Sequence, residues 1–239
     1  MKKSIKNFLS KSPFELYSYF KTKNNIRNTV NGFNTYKNTV ESPKLHIGCG
    51  GNVFNGWFNI DFEHIEKDVY YMDASQKFPF PDESFDYIYS EHLFEHLDIN
   101  GQISMLNEAF RTLKNGGTIR IATPNFDFIT NIGNEDSPFM RDYIKWSAKA
   151  FFPDLESKLG DISKTRVYCV NNYFYSWGHK FIHSRSSLKG LLNYVGFKEI
   201  IDVNIYESKI EIFKNIEKHG TVIPKEFNDA ETMVLEAIK

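Results

Sequence analysis

Cysteine is scarce: two residues, Cys49 and Cys169, in a chain of 239. Two thiols cannot build a disulfide framework, and Cys49 lies inside a glycine-rich stretch. Free thiols and a reducing compartment are therefore expected. Net charge is nearly absent too, at −1. A chain without a basic excess carries no polyanion-binding signature, so no nucleic-acid partner is expected. No apolar run approaches the ~20 residues that span a bilayer. The first residues lack the unbroken apolar core of a signal peptide. A cytoplasmic protein with no integral membrane segment is the expectation. There are no internal repeats.

Aromatic residues, in contrast, are plentiful: 22 Phe and 13 Tyr, within an apolar content of 41%. That is enough for a sizeable core, and the length suits one decorated domain. The charge is unevenly spread. Residues 1–44 hold nine Lys/Arg against two Glu, which leaves about −8 for the rest. Ile5, Phe8, Leu9, Leu16, Tyr17 and Phe20 can form apolar faces on one or two short helices interrupted at Pro13. Asn24–Thr39 is polar and Asn-rich and reads as irregular. Residues 1–43 are therefore expected to form a cap on the rest, with a peripheral membrane or partner contact through residues 1–40 as the other reading.

The segment Lys44-Leu-His-Ile-Gly-Cys-Gly-Gly51 reads as a buried strand running into a glycine-rich turn. Glycine tolerates the φ > 0 of a tight turn and lets a ligand approach the backbone. A second strand, Trp57-Phe-Asn-Ile-Asp61, ends in a carboxylate thirteen positions after Gly48. An acid at the tip of a neighbouring strand can accept hydrogen bonds from both hydroxyls of a ribose. The pair points to a nucleoside-containing cofactor across the carboxyl ends of a parallel sheet. A dinucleotide fingerprint would need glycine where Val53 stands, and its acid about 20 residues on. The Gly-Lys-Ser/Thr of a P-loop is missing. An uncharged loop flanked by acids suits a cationic cofactor without phosphate.

Three further motifs follow in order: Pro79-Phe-Pro-Asp-Glu-Ser-Phe-Asp-Tyr-Ile-Tyr-Ser90, then Glu91-His-Leu-Phe-Glu-His96, then Leu113-Lys-Asn-Gly-Gly117. Together with the glycine loop, this order resembles the class I S-adenosylmethionine-dependent methyltransferases over roughly residues 44–125. The resemblance implies an α/β fold, a doubly wound, mostly parallel seven-stranded Rossmann-like sheet whose last strand is antiparallel. It implies S-adenosylmethionine as cofactor. Gly48, Cys49 and Gly50 would line its methionine part, with His46 from the preceding strand also among the binding residues. Asp61 would hold the ribose, Asp73 and Ala74 the adenine, and Ser90, Glu91 and His92 would stand beside the sulfonium. The chain departs from the family between Gly48 and Asp61, where Asn52–Gly56 leaves room for a loop or one turn instead of a helix.

Strands are expected near 44–48, 57–61, 67–71, 84–90, 118–123, 198–206 and 231–238. Ile103, Leu106, Ala109, Phe110 and Leu113 recur at helical spacing and predict a helix over 98–114, closed by Asn115-Gly-Gly117. A second amphipathic helix spans Arg185–Gly196. The methyltransferase domain would occupy 44–239, with 125–184 as a lid or substrate-binding insertion. In that insertion Tyr175, Trp177, Lys180 and His183 are the candidate acceptor-binding residues, because aromatic rings stack on sugars and polar tips hydrogen-bond hydroxyls. His179 and His92 are the candidate bases, since imidazole accepts a proton near neutral pH.

His92-Leu-Phe-Glu-His96 also matches H-x-x-E-H, in which two histidines on one helix face bind zinc. No downstream acidic ligand stands out, and the motif directly follows a strand. Neither a metal nor a protease is expected, and His96 reads as structural. The function expected is methyl transfer to an oxygen of a sugar, sugar nucleotide or phosphorylated precursor, by analogy with surface-polysaccharide biosynthesis. The rival is a non-catalytic binding protein that keeps the fold.

Overall fold

A computed structural model describes residues 13–63, 67–132 and 137–239. Ile5, Phe8 and Leu9 fall outside these. Seven strands form one sheet: β1 (Lys44–Ile47), β2 (Phe58–Asp61), β3 (Val69–Tyr71), β4 (Phe85–Glu91), β5 (Leu113–Pro124), β6 (Glu199–Val203) and β7 (Thr232–Ile238). Their order is β3-β2-β1-β4-β5-β7-β6. The first five run parallel, and β7 is antiparallel to both β5 and β6. β1 pairs with β2 on one side and β4 on the other, Leu45 lying beside both Phe58 and Ile88. The winding therefore reverses between β1 and β4, and a doubly wound sheet binds ligands beyond the carboxyl ends of the strands at that point.

Side chains alternate across each strand, and the two faces of this sheet differ. Leu45, Ile47, Phe58, Ile60, Ile88, Ile119, Ile121 and Leu235 belong to one large apolar core. Helices α2 (Ile99–Thr112) and α7 (Arg185–Val195) pack there through Met105, Leu106, Ala109, Leu188 and Leu192. The opposite face is buried as well but carries His46, Asn59, Tyr89, Arg120 and Glu236. No helix lies between β1 and β2, as the short spacing implied. Phe54 and Trp57 of that connection instead join Tyr89, Phe213 and Ile216 in an aromatic cluster.

Helix α1 (Pro13–Tyr36) corrects the expectation of an irregular Asn24–Thr39. Thr29, Gly32, Phe33 and Tyr36 recur at helical spacing and all touch the sheet. Thr29 Oγ1 donates to the Tyr71 carbonyl at 2.7 Å, and the Phe33 ring lies 5.7 Å from Phe58 and 5.1 Å from Phe85. Tyr36 Oη donates to the Gly56 carbonyl at 3.0 Å. This docking overrides the indifferent helix propensity of asparagine. The end of α2 also differs from expectation. The helix stops at Thr112, and Leu113 is already extended, so Gly116 (φ 78°) turns the chain four residues later. Helix α7 is the one closed by a glycine, Gly196 at φ 119°.

Between β5 and α7 the insertion folds as helices α3 (Phe126–Asn131), α4 (Pro138–Phe151), α5 (Pro153–Leu159) and α6 (Arg166–Tyr175). They share a small core of Ile129, Ile132, Tyr143, Cys169, Tyr173 and Ile182, closed by Phe227 of α8 (Lys225–Glu231). No described helix is long and apolar enough to cross a membrane.

Candidate functional site

A cleft of about 800 Å³ opens at the carboxyl ends of β1, β2 and β3. Gly48, Asp61, Asp73 and Ala74 line it from the strand tips, Leu93 stands against Gly48, and His96, Trp177 and Lys180 complete the lining. Its volume is that of a small-molecule site. Gly48 takes φ 70°, and a Cβ there would stand 2.9 Å from the Leu93 side chain, so the residue after β1 has to be glycine. The Gly48 and Cys49 amides both donate to the Ile60 carbonyl, at 2.9 and 3.1 Å. Asp61 Oδ2 accepts from the Gly50 amide at 3.0 Å and Oδ1 from the Glu63 amide at 2.9 Å. Hydrogen bonds to both oxygens hold the carboxylate fixed at the tip of β2. Asp73 Oδ1 accepts from the amide and hydroxyl of Ser75.

Seven of the expected cofactor- and acceptor-binding residues do not line this cleft. His46 points to the opposite sheet face, where its Nδ1 donates to Asn59 Oδ1 at 3.2 Å and its ring stacks on Phe54 at 4.4 Å. Burial lowers its pKa to about 4, so it is neutral. Cys49 is buried, and burial together with Asp61 pushes its thiol up to about 12, an unreactive group. Ser90 has Ile88's parity along β4 and is buried in the sheet. Glu91 has the opposite parity, and its carboxylate accepts the Lys218 and His219 amides at 2.9–3.0 Å. Tyr175 is 85% exposed at the end of α6. His183 is buried, accepting at Nδ1 from Ser187 Oγ (2.9 Å) and donating from Nε2 to Gln102 Oε1 (2.8 Å). Gly50 is not on the cleft wall but braces Asp61.

The candidate bases gather instead around Glu95, which is fully buried. The turn Phe94–His96 is a single 3₁₀ turn, and His92 takes φ 47°. His92 and His96 thus do not share an α-helical face. His92 Nδ1 donates to Glu95 Oε1 at 3.1 Å, its ring stacks on His219 at 3.8 Å, and its Nε2 faces Thr232 Oγ1. Burial alone would depress His92, but the bond and charge of Glu95 raise it above its ordinary value. Burial would likewise raise Glu95, and His92 outweighs it, holding the carboxyl at about 2. Thr123 Oγ1 donates to the other carboxylate oxygen at 3.0 Å. His179 Nδ1 meets the Tyr173 carbonyl at 2.7 Å, and its Nε2 lies 4.0 Å from Glu95 Oε1. Burial lowers the His179 pKa more than Glu95 raises it.

Two segments far apart in sequence are locked together here. The Lys180 and Phe181 amides both donate to the Glu95 carbonyl, at 2.8 and 3.2 Å. Gln102 Nε2 donates to the Phe94 carbonyl at 2.8 Å and the Phe181 carbonyl at 3.1 Å. His183 therefore fixes Gln102, and Gln102 fixes the cluster. Trp177 and Gly178 turn the chain at φ 56° and 77°, and Trp177 and Lys180 line the cleft. Positive φ is costly for bulky residues, and here both His92 and Trp177 bear it at the site. The sequence reading gave Glu95 and Gln102 no site role and took His96 as structural. The H-x-x-E-H spacing did flag two of them, but for a helical geometry they do not adopt.

Residues 61–121 match the family model described as a methyltransferase domain. No curated protein matches the chain. Among solved structures it is similar to a SAM-dependent methyltransferase from Archaeoglobus fulgidus, at 19% identity over 83% of this chain and 86% of that one, TM-score 0.49. It is also similar to a SAM-dependent methyltransferase from Thermotoga maritima described as a possible histamine N-methyltransferase. There the identity is 18% over 94% and 96% of the two chains, TM-score 0.45. A third, from Mesorhizobium loti, shares 12% over 83% and 91%, TM-score 0.48.

Proposed function

We infer that this chain, a class I S-adenosylmethionine-dependent methyltransferase by its matched domain and strand order, methylates an oxygen of a small-molecule acceptor. S-adenosylmethionine supplies a methyl group already activated on a cationic sulfur. The residues present fit it. Glycine at position 48 keeps the end of β1 bare, and Asp61, Asp73 and Ala74 line the same cleft, which supports a ribose at Asp61 and an adenine beside Asp73 and Ala74. Among the described residues, the strand tips contribute no Lys or Arg to the cleft lining, in keeping with a cofactor that has no phosphate.

The observation that carries the reading is the continuity of one cleft from Gly48 and Asp61 to His96, Trp177 and Lys180. The first pair belongs to the sheet and the last to the insertion, so a bound acceptor is aligned against the cofactor end. Alignment and exclusion of water are the protein's main contributions to such a displacement. When bound, S-adenosylmethionine would supply the methyl carbon to the acceptor oxygen and keep the carbon–sulfur electron pair, and the hydroxyl proton would pass to solvent in the cleft. Lys180 suits an anionic acceptor and Trp177 a ring. A sugar has the ring, a sugar nucleotide or phosphorylated precursor has the ring and the anion, and surface-polysaccharide synthesis is a setting that uses them.

The test is calorimetric titration of S-adenosylmethionine, with transfer of labelled methyl to sugars, sugar nucleotides, sugar phosphates and amines. Asp61→Ala removes two charge-assisted hydrogen bonds of ~1.5–3 kcal/mol each. Cofactor affinity should fall at least ~tenfold with the fold retained by circular dichroism. Unchanged affinity would take Asp61 out of the site. Labelling of amines alone would overturn the choice of oxygen. A second reading, binding without transfer, is favoured by the Gly48 and Cys49 amides being spent on Ile60. It predicts cofactor binding with no labelled product from any acceptor.

A further inference from the structure

We propose that Glu95, His96 and His179 form a divalent-metal site at the acceptor end of the cleft. One carboxylate oxygen and one nitrogen from each ring lie within 4.8 Å of one another. Ligands of a tetrahedral zinc stand about 3.3 Å apart, given bonds of ~2.0–2.1 Å. Closing the difference takes about 1.5 Å of side-chain movement at most. Two imidazoles and a carboxylate are a donor set for zinc, manganese or another first-row divalent ion, and three protein ligands leave positions open for substrate.

The surroundings do what the outer shell of a metal site does. The Tyr173 carbonyl can only accept, so His179 Nδ1 carries the hydrogen and Nε2 presents its lone pair toward Glu95. Thr123 and His92 donate to opposite oxygens of Glu95 and fix its plane. His96 touches the His179 ring edge-on, with centroids 4.9 Å apart, and lines the cleft. The Glu95 carbonyl accepts the Lys180 and Phe181 amides, so the ligands on the two segments are held in register by backbone. This ligand set is not the His92/His96 pair of the H-x-x-E-H motif. His92 belongs to the outer shell, and the third ligand comes from 83 residues downstream of His96.

A divalent ion with one carboxylate leaves a net positive site, and Lys180 adds to it. Such a site takes a hydroxyl or anionic oxygen and repels an ammonium. It also lowers the pKa of a hydroxyl bound to it. The proton passes to solvent in the cleft as the oxygen takes the methyl carbon. This role rests on the methyltransferase reading; the metal site itself rests on the ligand geometry.

The full chain, stripped with chelator, is titrated with Zn²⁺ and separately with Mn²⁺ by calorimetry, and with Co²⁺ by visible absorption. One equivalent should bind. His96→Ala and His179→Ala should each weaken it by more than ~100-fold, since even outer-shell losses cost 10–100-fold. Thr123→Val, which keeps all three ligands, should cost ~10–100-fold and covers the case in which a histidine variant misfolds. Absence of binding by all three ions overturns the proposal, as does binding that survives both histidine variants. S-adenosylmethionine is titrated in parallel. A chain that binds the cofactor but no metal overturns this inference and leaves the transferase reading intact. A chain that binds metal but no cofactor overturns the transferase reading and the acceptor role given to the ion.

Discussion

His46 is sealed between Phe54, Tyr89 and Trp57, with Asn59 as its hydrogen-bond partner. Asn59 Nδ2 donates to the Phe54 and Trp57 carbonyls, so the pair pins the short β1–β2 connection. Burial lowers the imidazole from 6.5 to about 4. Between those values the unfolded chain binds a proton that the folded chain does not. Stability from this residue is therefore complete above pH 6.5 and is lost as pH falls toward 4. The loss between pH 7 and pH 4.5 should be roughly 2–3 kcal/mol. His46→Gln lowers stability at pH 7 but should flatten this acid limb in urea unfolding at the two pH values. An unchanged difference would mean that other groups set the limb. His183, also lowered to about 4 by burial, leaves a residual slope.

At the scale of elements, the turn after α6 decides what the insertion offers the cleft. Trp177 lines it, with its ring 4.7 Å from Phe151 and 5.5 Å from His179. The part of the cleft proposed for the cofactor is lined from the tips of β1, β2 and β3 and does not depend on this turn. Trp177→Ala should therefore cut methyl transfer at least ~tenfold while S-adenosylmethionine affinity stays within about threefold, ~0.7 kcal/mol. Steady-state kinetics beside calorimetry checks it, and full activity would move the acceptor elsewhere. The β1–β2 connection makes the complementary point. A helix is replaced there by Phe54 and Trp57 packed on Tyr89 and Phe213. The absence of the helix was legible from the spacing. The substitute was not, because Phe213 arrives from the far end of the chain.

Across the whole molecule, Arg120 ties β5 to β7 and to the segment that crosses the polar face. Its guanidinium donates to Glu217 at 2.6 Å, Glu236 at 2.6 Å and the Glu207 carbonyl at 2.8 Å, and it is fully buried. Glu217 in turn accepts the Tyr206 amide at 3.0 Å, and the next residues cap Glu91. Breaking one partner of a buried network strands the others, at about 3–5 kcal/mol. Arg120→Met should lower the melting temperature by about 10 °C. Replacing Arg120, Glu217 and Glu236 together by apolar residues of similar volume should recover most of that. Thermal melts of both variants decide it.

The local pattern of the chain was enough to determine the strands, the helices α2 and α7, the bare glycine after β1 and the acid at the tip of β2. Each is a matter of period, turn chemistry or a motif read within a few residues, and local physics specifies it. Strand parity even held the answer for Ser90 and Glu91, which neighbour in sequence and face opposite sides. Helix α1 needed the sheet, because Thr29, Phe33 and Tyr36 stabilise it only once β2 and β3 are there to receive them. The cluster around Glu95 needed it most. His179 meets Glu95 through amides donated across the fold, and His183 orients Gln102 from behind. Contacts between residues some 80 positions apart leave no trace in local periodicity, so only the tertiary structure decided them.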